Sequence, residues 1–284
     1  MADPFRHNVL LHDLPDDTLP ARHSKGAKRR TAQLQRFLKT LHEEMGGWLE
    51  PSGTVTFVVL NRHDWRQVVR HPYGLPFIRN ERRDAKADRS ADEGPRVHIV
   101  AAADYPERLL HRWDELFVRA AHAGEQPPGD LREFLDLLIG HEWGHAAANL
   151  SGLRSRVKWL DEFMATYIFL ATLRSCGLDE IFERFIAWAR LEVAGSQVRH
   201  ADLGSFEYPR GKLKFDDMVW FQGVFTLRAA DVLEEHGWDF PVAMKRRLTT
   251  TARGDVARTL VDIEPSFRDW FRVFSPQTPS NEVL

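Results

Sequence analysis

The pattern of apolar and polar residues predicts strands in the first half of the chain and helices throughout the second half. The run at 54–60 is rich in β-branched residues and predicts a strand, which is followed by a short helix near 65–69. A second strand is expected at 97–101. Apolar positions three or four residues apart predict the main helices. These helices are expected from the basic stretch 25–30 to Gly46-Gly47, from about 106 to 123, from 130 to the break at Ser151-Gly152, and from about 157 to 173.

This order of elements predicts an α+β fold, with the strands in a small N-terminal subdomain and a larger helical subdomain after it. The predicted boundaries are a polar leader at 1–25, the N-terminal subdomain at 26–129, the helical subdomain at 130–276 and a tail at 277–284. Residues 79–94 are mostly charged or small and are expected to form an exposed loop. The leader is compatible with an inhibitory segment, a partner-binding tail or disorder, and the sequence does not choose among them.

Composition and charge narrow the range of partners. The 39 basic and 41 acidic residues nearly cancel, so no strong field favours nucleic acid or an anionic membrane. No stretch reaches the roughly 20 apolar residues of a membrane span, and the first residues lack the apolar core of a signal peptide. The single cysteine, Cys176, excludes an internal disulfide and favours a reducing compartment. We therefore expect a cytoplasmic protein with neither a nucleic-acid nor a membrane partner.

The motif that carries chemical meaning is the His-Glu-x-x-His sequence at 141–145. His141 and His145 are four residues apart, so they share one face of the predicted helix and both imidazoles can reach one Zn²⁺ ion. Glu142 follows the first histidine, where it can take a proton from a metal-bound water without binding the ion itself. The motif therefore predicts a zinc-dependent hydrolase.

A catalytic zinc site of this kind needs a third protein ligand and an open position for water. Glu162 is the best candidate, because it lies near the start of the next predicted helix, with sixteen residues between it and His145. A tight turn and an antiparallel helix would bring its carboxylate back beside the imidazoles. Asp161 is adjacent but points about 100° away around the helix, so only one of the two acids can face the metal. Asn149 and Thr166 are candidates to orient the ligands, although Asn149 is equally typical of a helix end.

The sequence around Glu162 resembles the gluzincin metallopeptidases, especially their aminopeptidase N-like branch. The ligand helix of that branch typically reads Trp-Leu-Asn-Glu-Gly-Phe-Ala-Ser-Tyr, and this chain matches it at Trp159, Leu160, Glu162, Ala165 and Tyr167. The resemblance covers about residues 95 to 274 and is strong at the zinc motifs. It implies a thermolysin- or aminopeptidase-like zincin fold, with a small strand-containing N-terminal subdomain and a mostly helical C-terminal one. Since the family usually has eighteen residues between the second histidine and the glutamate, the turn here must be shorter.

Two motifs of that family are missing from this chain. A Tyr-x-Lys-Gly motif supplies the phenol that stabilises the oxyanion in the family, and the aligned position here is Trp220. Tyr208 is the nearest substitute, although an ordinary surface or packed tyrosine is the competing interpretation. The Gly-x-Met-Glu-Asn motif that binds a free amine in aminopeptidases is also absent, so exopeptidase specificity is unsupported. The strand at 98–101 lies at about the corresponding place and could pair with an extended peptide.

The function expected from these residues is zinc-dependent hydrolysis of peptide bonds. Zn²⁺ held by His141, His145 and Glu162 would polarise the scissile carbonyl, while Glu142 would deprotonate the water and protonate the leaving amine. Two alternatives stay open: a catalytically degenerate zinc-binding protein with a regulatory or interaction role, and a metallohydrolase that acts on another amide. The expected partner is a peptide or protein substrate. The sequence does not indicate the cleavage specificity or the oligomeric state.

Overall fold

The computed structural model describes residues 5, 9–45, 47–81, 94–209, 213–248 and 255–274, and these form an α+β fold. The strands are β1 (His12–Leu14), β2 (Ala21–His23), β3 (Thr54–Leu60), β4 (Phe77–Asn80) and β5 (Arg96–Ala102). The helices are α1 (Lys28–Met45), α2 (Arg62–Val68), α3 (Glu107–His122), α4 (Leu131–Leu150), α5 (Lys158–Ser175), α6 (Asp179–Gly195), α7 (Leu203–Glu207), α8 (Phe215–His236), α9 (Asp239–Leu248), α10 (Val256–Ile263) and α11 (Phe267–Trp270), after which a 3-10 turn spans Phe271–Phe274.

The five strands form one mixed sheet in the order β1-β2-β3-β5-β4. Strands β2, β3 and β5 are parallel, whereas β1 and β4 are antiparallel to their neighbours at the two ends. The pairing of β3 with β5 extends from Thr54 opposite Arg96 to Leu60 opposite Ala102. Side chains on both faces of this central pair are buried. Strands buried on both faces have near-continuous apolar sequences, which is why these two could be predicted.

Different helices cover the two faces of the sheet. On one face, Val58 and Val100 belong to a hydrophobic cluster that includes Trp65 of α2 and Phe5. The alternate residues Phe57 and Ile99 are fully buried on the opposite face. There α1 contacts β2 and β3, α4 contacts β4 and β5, and the two helices contact each other. The helix with the His-Glu-x-x-His sequence is therefore supported by a neighbouring helix and by two strands.

The chain divides into two compact units. The first consists of residues 1–113 and 130–151 and contains the sheet with α1, α2 and α4. The second consists of residues 114–129 and 152–284 and contains the helices from α5 onward. Within the second unit, α8 packs against both α5 and α6. Aromatic rings fill much of its core, with mutual contacts among Phe163, Tyr167, Phe240, Phe267 and Trp270.

The elements predicted from periodicity agree with the structure to within a few residues. The strand at 54–60 is confirmed, and the strand at 97–101 is confirmed as β5. The predicted loop at 79–94 is wrong at its start, because residues 79 and 80 belong to β4; residues 82–93 lie outside the described part. The residues assigned to the leader include β1 and β2, whose three-residue length leaves no detectable period. Gly46 and the predicted tail at 277–284 lie outside the described residues.

No helix in the described ranges combines the length and the apolar character that crossing a membrane requires.

Candidate metal centre

Helix α4 has a well-defined start. The carboxylate of Asp130 accepts hydrogen bonds from the backbone N–H groups of Arg132 and Glu133, at 2.7 and 3.2 Å. It thereby satisfies two of the N–H groups that every helix start leaves without an intrahelical partner. The helix ends at Ser151, as predicted from the Ser151-Gly152 pair. These two ends place His141 and His145 in the C-terminal half of a 20-residue helix.

A half-buried polar network anchors α4 before the two histidines. The guanidinium of Arg30, on α1, binds both carboxylate oxygens of Asp136, on α4. The Tyr105 hydroxyl donates to Asp136 Oδ1 at 2.6 Å and accepts from Arg30 Nη2 at 2.9 Å. Burial raises the pKa of Tyr105 well above its ordinary value, so this phenol stays protonated and remains a donor. The network therefore limits the rotation and sliding of α4.

The start of α5 is stabilised by residues outside the helix. Its N-cap position, Val157, offers no side-chain acceptor. The carboxylate of Glu207, at the end of α7, instead accepts from the backbone N–H of Lys158 at 2.7 Å, and Lys158 Nζ donates to the Glu207 carbonyl at 3.0 Å. A negative charge is favourable there because it faces the positive end of the helix dipole. Glu162 lies one turn further along α5.

The two adjacent acids of α5 point in different directions, as the helical period requires. Asp161 Oδ1 accepts from the backbone N–H of Ser155 at 2.9 Å and from its hydroxyl at 2.8 Å. This carboxylate thus stabilises the turn between α4 and α5. Glu162 is directed to the candidate metal ligands instead.

The ligand atoms of His141, His145 and Glu162 all lie within 4.8 Å of one another. The two imidazole rings are almost perpendicular, with centroids 4.7 Å apart. His141 is buried, whereas His145 and Glu162 are half-buried. Two imidazoles and one carboxylate form a donor set that suits Zn²⁺, whose ligands at about 2.1 Å lie about 3.4 Å apart around a tetrahedral ion. Small side-chain rotations would bring the three groups to that spacing.

Glu162 has a further partner on α8. Gln222 Nε2 donates a hydrogen bond to Glu162 Oε2 at 2.7 Å. No sequence pattern singles out Gln222, because a glutamine in a helix carries no motif of its own. The contact exists because α5 packs against α8, and this packing belongs to the tertiary structure.

Glu142 is half-buried on α4. It lies three residues before His145, so the two side chains are neighbours on the helix surface, while it is rotated by about 100° from His141. The third ligand of the group is supplied by Glu162, so Glu142 is not needed as a ligand. At this position, the Glu142 carboxylate could act as a base for water on an ion held by the three candidate ligands.

The proposed oxyanion donor, Tyr208, is 58% exposed and forms the C-cap of α7. It directly follows Glu207, whose carboxylate contacts the start of the helix that carries Glu162. Arg210 and Gly211, from the same predicted flexible segment, lie outside the described residues. Trp220, at the position aligned with the family's tyrosine, packs against Phe221 and Phe274.

The prediction that residues 98–101 pair with an extended peptide is wrong. These residues belong to β5, whose two edges are already paired with β3 and β4. A strand in the middle of a sheet has no unpaired backbone groups to offer. Among the described residues, β1 and β4 are the outer strands of the sheet, so an edge that can accept a further strand lies at β1 or β4 and not at β5.

The two residues suggested as ligand supports differ in their surroundings. Asn149 Nδ2 donates to Asn80 Oδ1 of β4 at 3.4 Å, which links the last turn of α4 to the edge strand. Thr166 is fully buried on α5, one turn after Glu162.

A second group with metal-binding residue types, Glu235, His236 and Glu264, occurs in the described part of the chain. Here His236 Nε2 lies 2.7 Å from Glu264 Oε2, and the other oxygen of Glu264 accepts from Ser266. The arrangement is explained by a hydrogen bond between His236 and Glu264 that ties α8 to the segment after α10.

Comparison with protein-family models, curated proteins and solved structures finds no match to this chain.

Proposed function

We propose that this protein is a zinc-dependent metallopeptidase of the gluzincin type, with a zincin-like fold. The observation that carries the proposal is the approach of three ligand atoms, from His141, His145 and Glu162, to within 4.8 Å. The sequence motif requires such a group of ligands but does not ensure that it forms, since sixteen residues separate Glu162 from the second histidine. His₂Glu with an open position is the ligand set of zinc peptidases rather than of structural zinc sites.

Each protein group has a separate role in this proposal. When bound, Zn²⁺ acts as a Lewis acid and lowers the pKa of a water molecule. His141, His145 and Glu162 would hold the ion. Glu142 takes a proton from the water and delivers it to the leaving amine. Tyr208 donates its phenolic hydrogen to the oxyanion, a role supported by its exposure and by the contact of Glu207 with α5.

The edge strand β4 supports a peptide as the substrate. Its outer edge is free of pairing among the described residues, and it contacts α4. An extended peptide can add to such an edge through main-chain hydrogen bonds, which recognise the backbone rather than the side chains. We also propose that the protein acts in the cytoplasm on peptides or proteins. The single cysteine favours a reducing compartment, and the nearly balanced charge does not favour a nucleic-acid or membrane partner.

The test measures bound zinc and peptide cleavage for the wild type, Glu142→Gln and Glu162→Gln. We expect the wild type to bind one zinc ion and to cleave members of a diverse peptide library. Glu142→Gln should retain zinc but lose cleavage by 10²-fold or more, because the general base is gone. Glu162→Gln should lose zinc affinity as well. A wild type that binds no zinc would overturn the proposal, as would a Glu142→Gln variant with undiminished cleavage.

A zinc-binding protein without peptidase activity is the second candidate. It is favoured by one observation, the replacement of the family's catalytic tyrosine by Trp220, whose ring packs on Phe221 and Phe274. The two candidates differ in the same experiment, since a degenerate protein binds zinc and cleaves nothing. If the protein is active, Tyr208→Phe should lower kcat more than it raises KM, because the oxyanion forms only after substrate binds.

A further inference from the structure

We propose that Gln222 is a positioning residue of the metal centre, which sets the affinity and geometry of zinc binding through Glu162. The inference rests on the proposed metal site but not on its peptidase activity. It adds a third helix, α8, to the two helices that supply the ligands.

The chemistry of the contact fixes which atom of Gln222 faces Glu162. A carboxylate only accepts hydrogen bonds, so the amide nitrogen, not the amide oxygen, must point to it. The Nε2 to Oε2 distance of 2.7 Å is short for an N–H···O bond, as expected when the acceptor is charged. One carboxylate oxygen thereby accepts a hydrogen bond from Gln222. Rotation of the carboxylate about its terminal bond is also restricted.

Gln222 is held on a well-supported part of the fold. Helix α8 packs against both α5 and α6. The next residue, Gly223, lies so close to α6 that a Cβ there would be 2.9 Å from the carbonyl oxygen of Ala189. At its start, α8 is anchored by Asp217, which accepts from the backbone N–H groups of Lys214 and Arg199 at 2.9 and 2.7 Å. A donor on such a helix is pre-organised before the metal binds.

The Gln222 amide is also uncharged, which affects how strongly Glu162 attracts the ion. A lysine or arginine at this position would bring a positive charge to a ligand of Zn²⁺ and reduce its attraction for the cation. The glutamine amide orients the carboxylate without offsetting its charge. Partners of this kind typically contribute 10- to 100-fold to metal affinity.

The test compares Gln222→Leu with Gln35→Leu in the full-length protein. Gln35 is a matched control, because its Nε2 also makes a 2.7 Å hydrogen bond, but to the Leu19 carbonyl rather than to a candidate ligand; Gln35 is buried and Gln222 half-buried. We expect Gln222→Leu to weaken zinc binding by 10- to 100-fold in a chelator competition, and Gln35→Leu to leave it within about threefold. The absorption spectrum of the Co²⁺-substituted protein should change for Gln222→Leu only, since it reports the coordination geometry.

A second variant, Gln222→Glu, helps to distinguish loss of the hydrogen bond from misfolding of the protein. Gln222→Glu preserves size but replaces the donor by an acceptor, so the hydrogen bond to Glu162 is lost and the Co²⁺ spectrum should change as it does for Gln222→Leu. Circular dichroism and thermal unfolding of the metal-free proteins check that each variant is folded. Unchanged zinc affinity and Co²⁺ spectra in both Gln222 variants would overturn the inference, and a wild type that binds no zinc would overturn it together with the metal site. A wild type that binds zinc but cleaves no peptide would overturn only the peptidase proposal.

Discussion

At the scale of single residues, two neighbouring acids show how one helical step gives adjacent side chains different partners. Asp161 accepts two hydrogen bonds from Ser155 in the turn before α5. Glu162 lies with the two histidines and accepts from Gln222. A rotation of about 100° between consecutive helical residues is sufficient for this division.

This division predicts opposite effects for substitution of the two acids. Asp161→Ala should lower the free energy of unfolding by about 1–2 kcal/mol, because a cap-like acceptor is lost, and should leave zinc affinity nearly unchanged. Glu162→Ala should abolish tight zinc binding with a smaller effect on the stability of the metal-free protein. Urea unfolding and zinc competition measure the two quantities separately. Equal losses of zinc affinity in the two variants would contradict the assignment.

Glu192 is a buried acid outside the candidate site. It lies on α6 with only 6% of its surface exposed. Burial raises the pKa of Glu192 well above its ordinary value, because the charged form loses its hydration. The folded protein therefore keeps this proton at pH values where the unfolded chain has released it.

The pH dependence of stability follows from this shift. Between the ordinary pKa of a glutamate and the raised pKa of Glu192, the folded state binds more protons than the unfolded state, so stability falls as pH rises, by at most about 1.4 kcal/mol per pH unit. Glu192→Gln should remove this slope and make the protein more stable than the wild type at pH 8. Urea unfolding at pH 5 and pH 8 tests this, with Glu180→Gln on the exposed face of α6 as the control, since Glu180 is 87% exposed. Parallel stability profiles for Glu192→Gln and the wild type would contradict the prediction.

At the scale of elements, the two helices that supply the ligands differ in how their starts are stabilised. Helix α4 has a local cap, Asp130, which is visible in the sequence just before an apolar periodic run. Helix α5 depends on Glu207, 49 residues further along the chain. A carboxylate that caps a distant helix leaves no local pattern, so only the tertiary structure reveals it.

The capping of α5 by Glu207 predicts that two substitutions of Glu207 lower the free energy of unfolding by different amounts. Glu207→Ala should reduce the free energy of unfolding by about 1–2 kcal/mol, because the N–H of Lys158 loses its acceptor and the helix dipole loses a negative charge. Glu207→Gln keeps an oxygen acceptor and should cost less. The free energies come from urea unfolding of the metal-free proteins. An effect of Glu207→Gln that equals or exceeds that of Glu207→Ala would exclude the capping role.

At the scale of the whole molecule, metal binding and folding should be coupled. The ligands are separated by up to twenty residues and come together only in the folded chain. An ion that binds the folded form alone stabilises it in proportion to the logarithm of its concentration over the dissociation constant. A metal ion bound by these three residues should therefore also stabilise the folded protein.

Zinc addition should accordingly raise the melting temperature. At a free zinc concentration one hundred times the dissociation constant, the expected gain is about 2.7 kcal/mol, and a chelator should reverse it. Glu162→Gln should respond far less to zinc, because it lacks the third ligand. A melting temperature that does not depend on zinc in the wild type, measured by calorimetry with and without chelator, would exclude this coupling.

Features that depend on local patterns could be predicted from the sequence alone. These include the α+β class, the positions of β3 and β5, the helix with His141 and His145, and which of the two adjacent acids, Glu162 rather than Asp161, lies with the histidines. Helical and strand periods act over a few residues, so they are readable along the chain. The metal, the activity and the resemblance to gluzincins stay predictions.

Only the tertiary structure decided the features that depend on which elements meet. The short strands β1, β2 and β4 have too few residues for a period, and they exist because neighbouring strands supply hydrogen-bond partners. Sheet order made β5 a central strand and left β4 at the edge. The contacts of Gln222 with Glu162 and of Glu207 with Lys158 join residues 49 to 60 positions apart. Such contacts are selected by packing of whole helices, which no local pattern of residue types specifies.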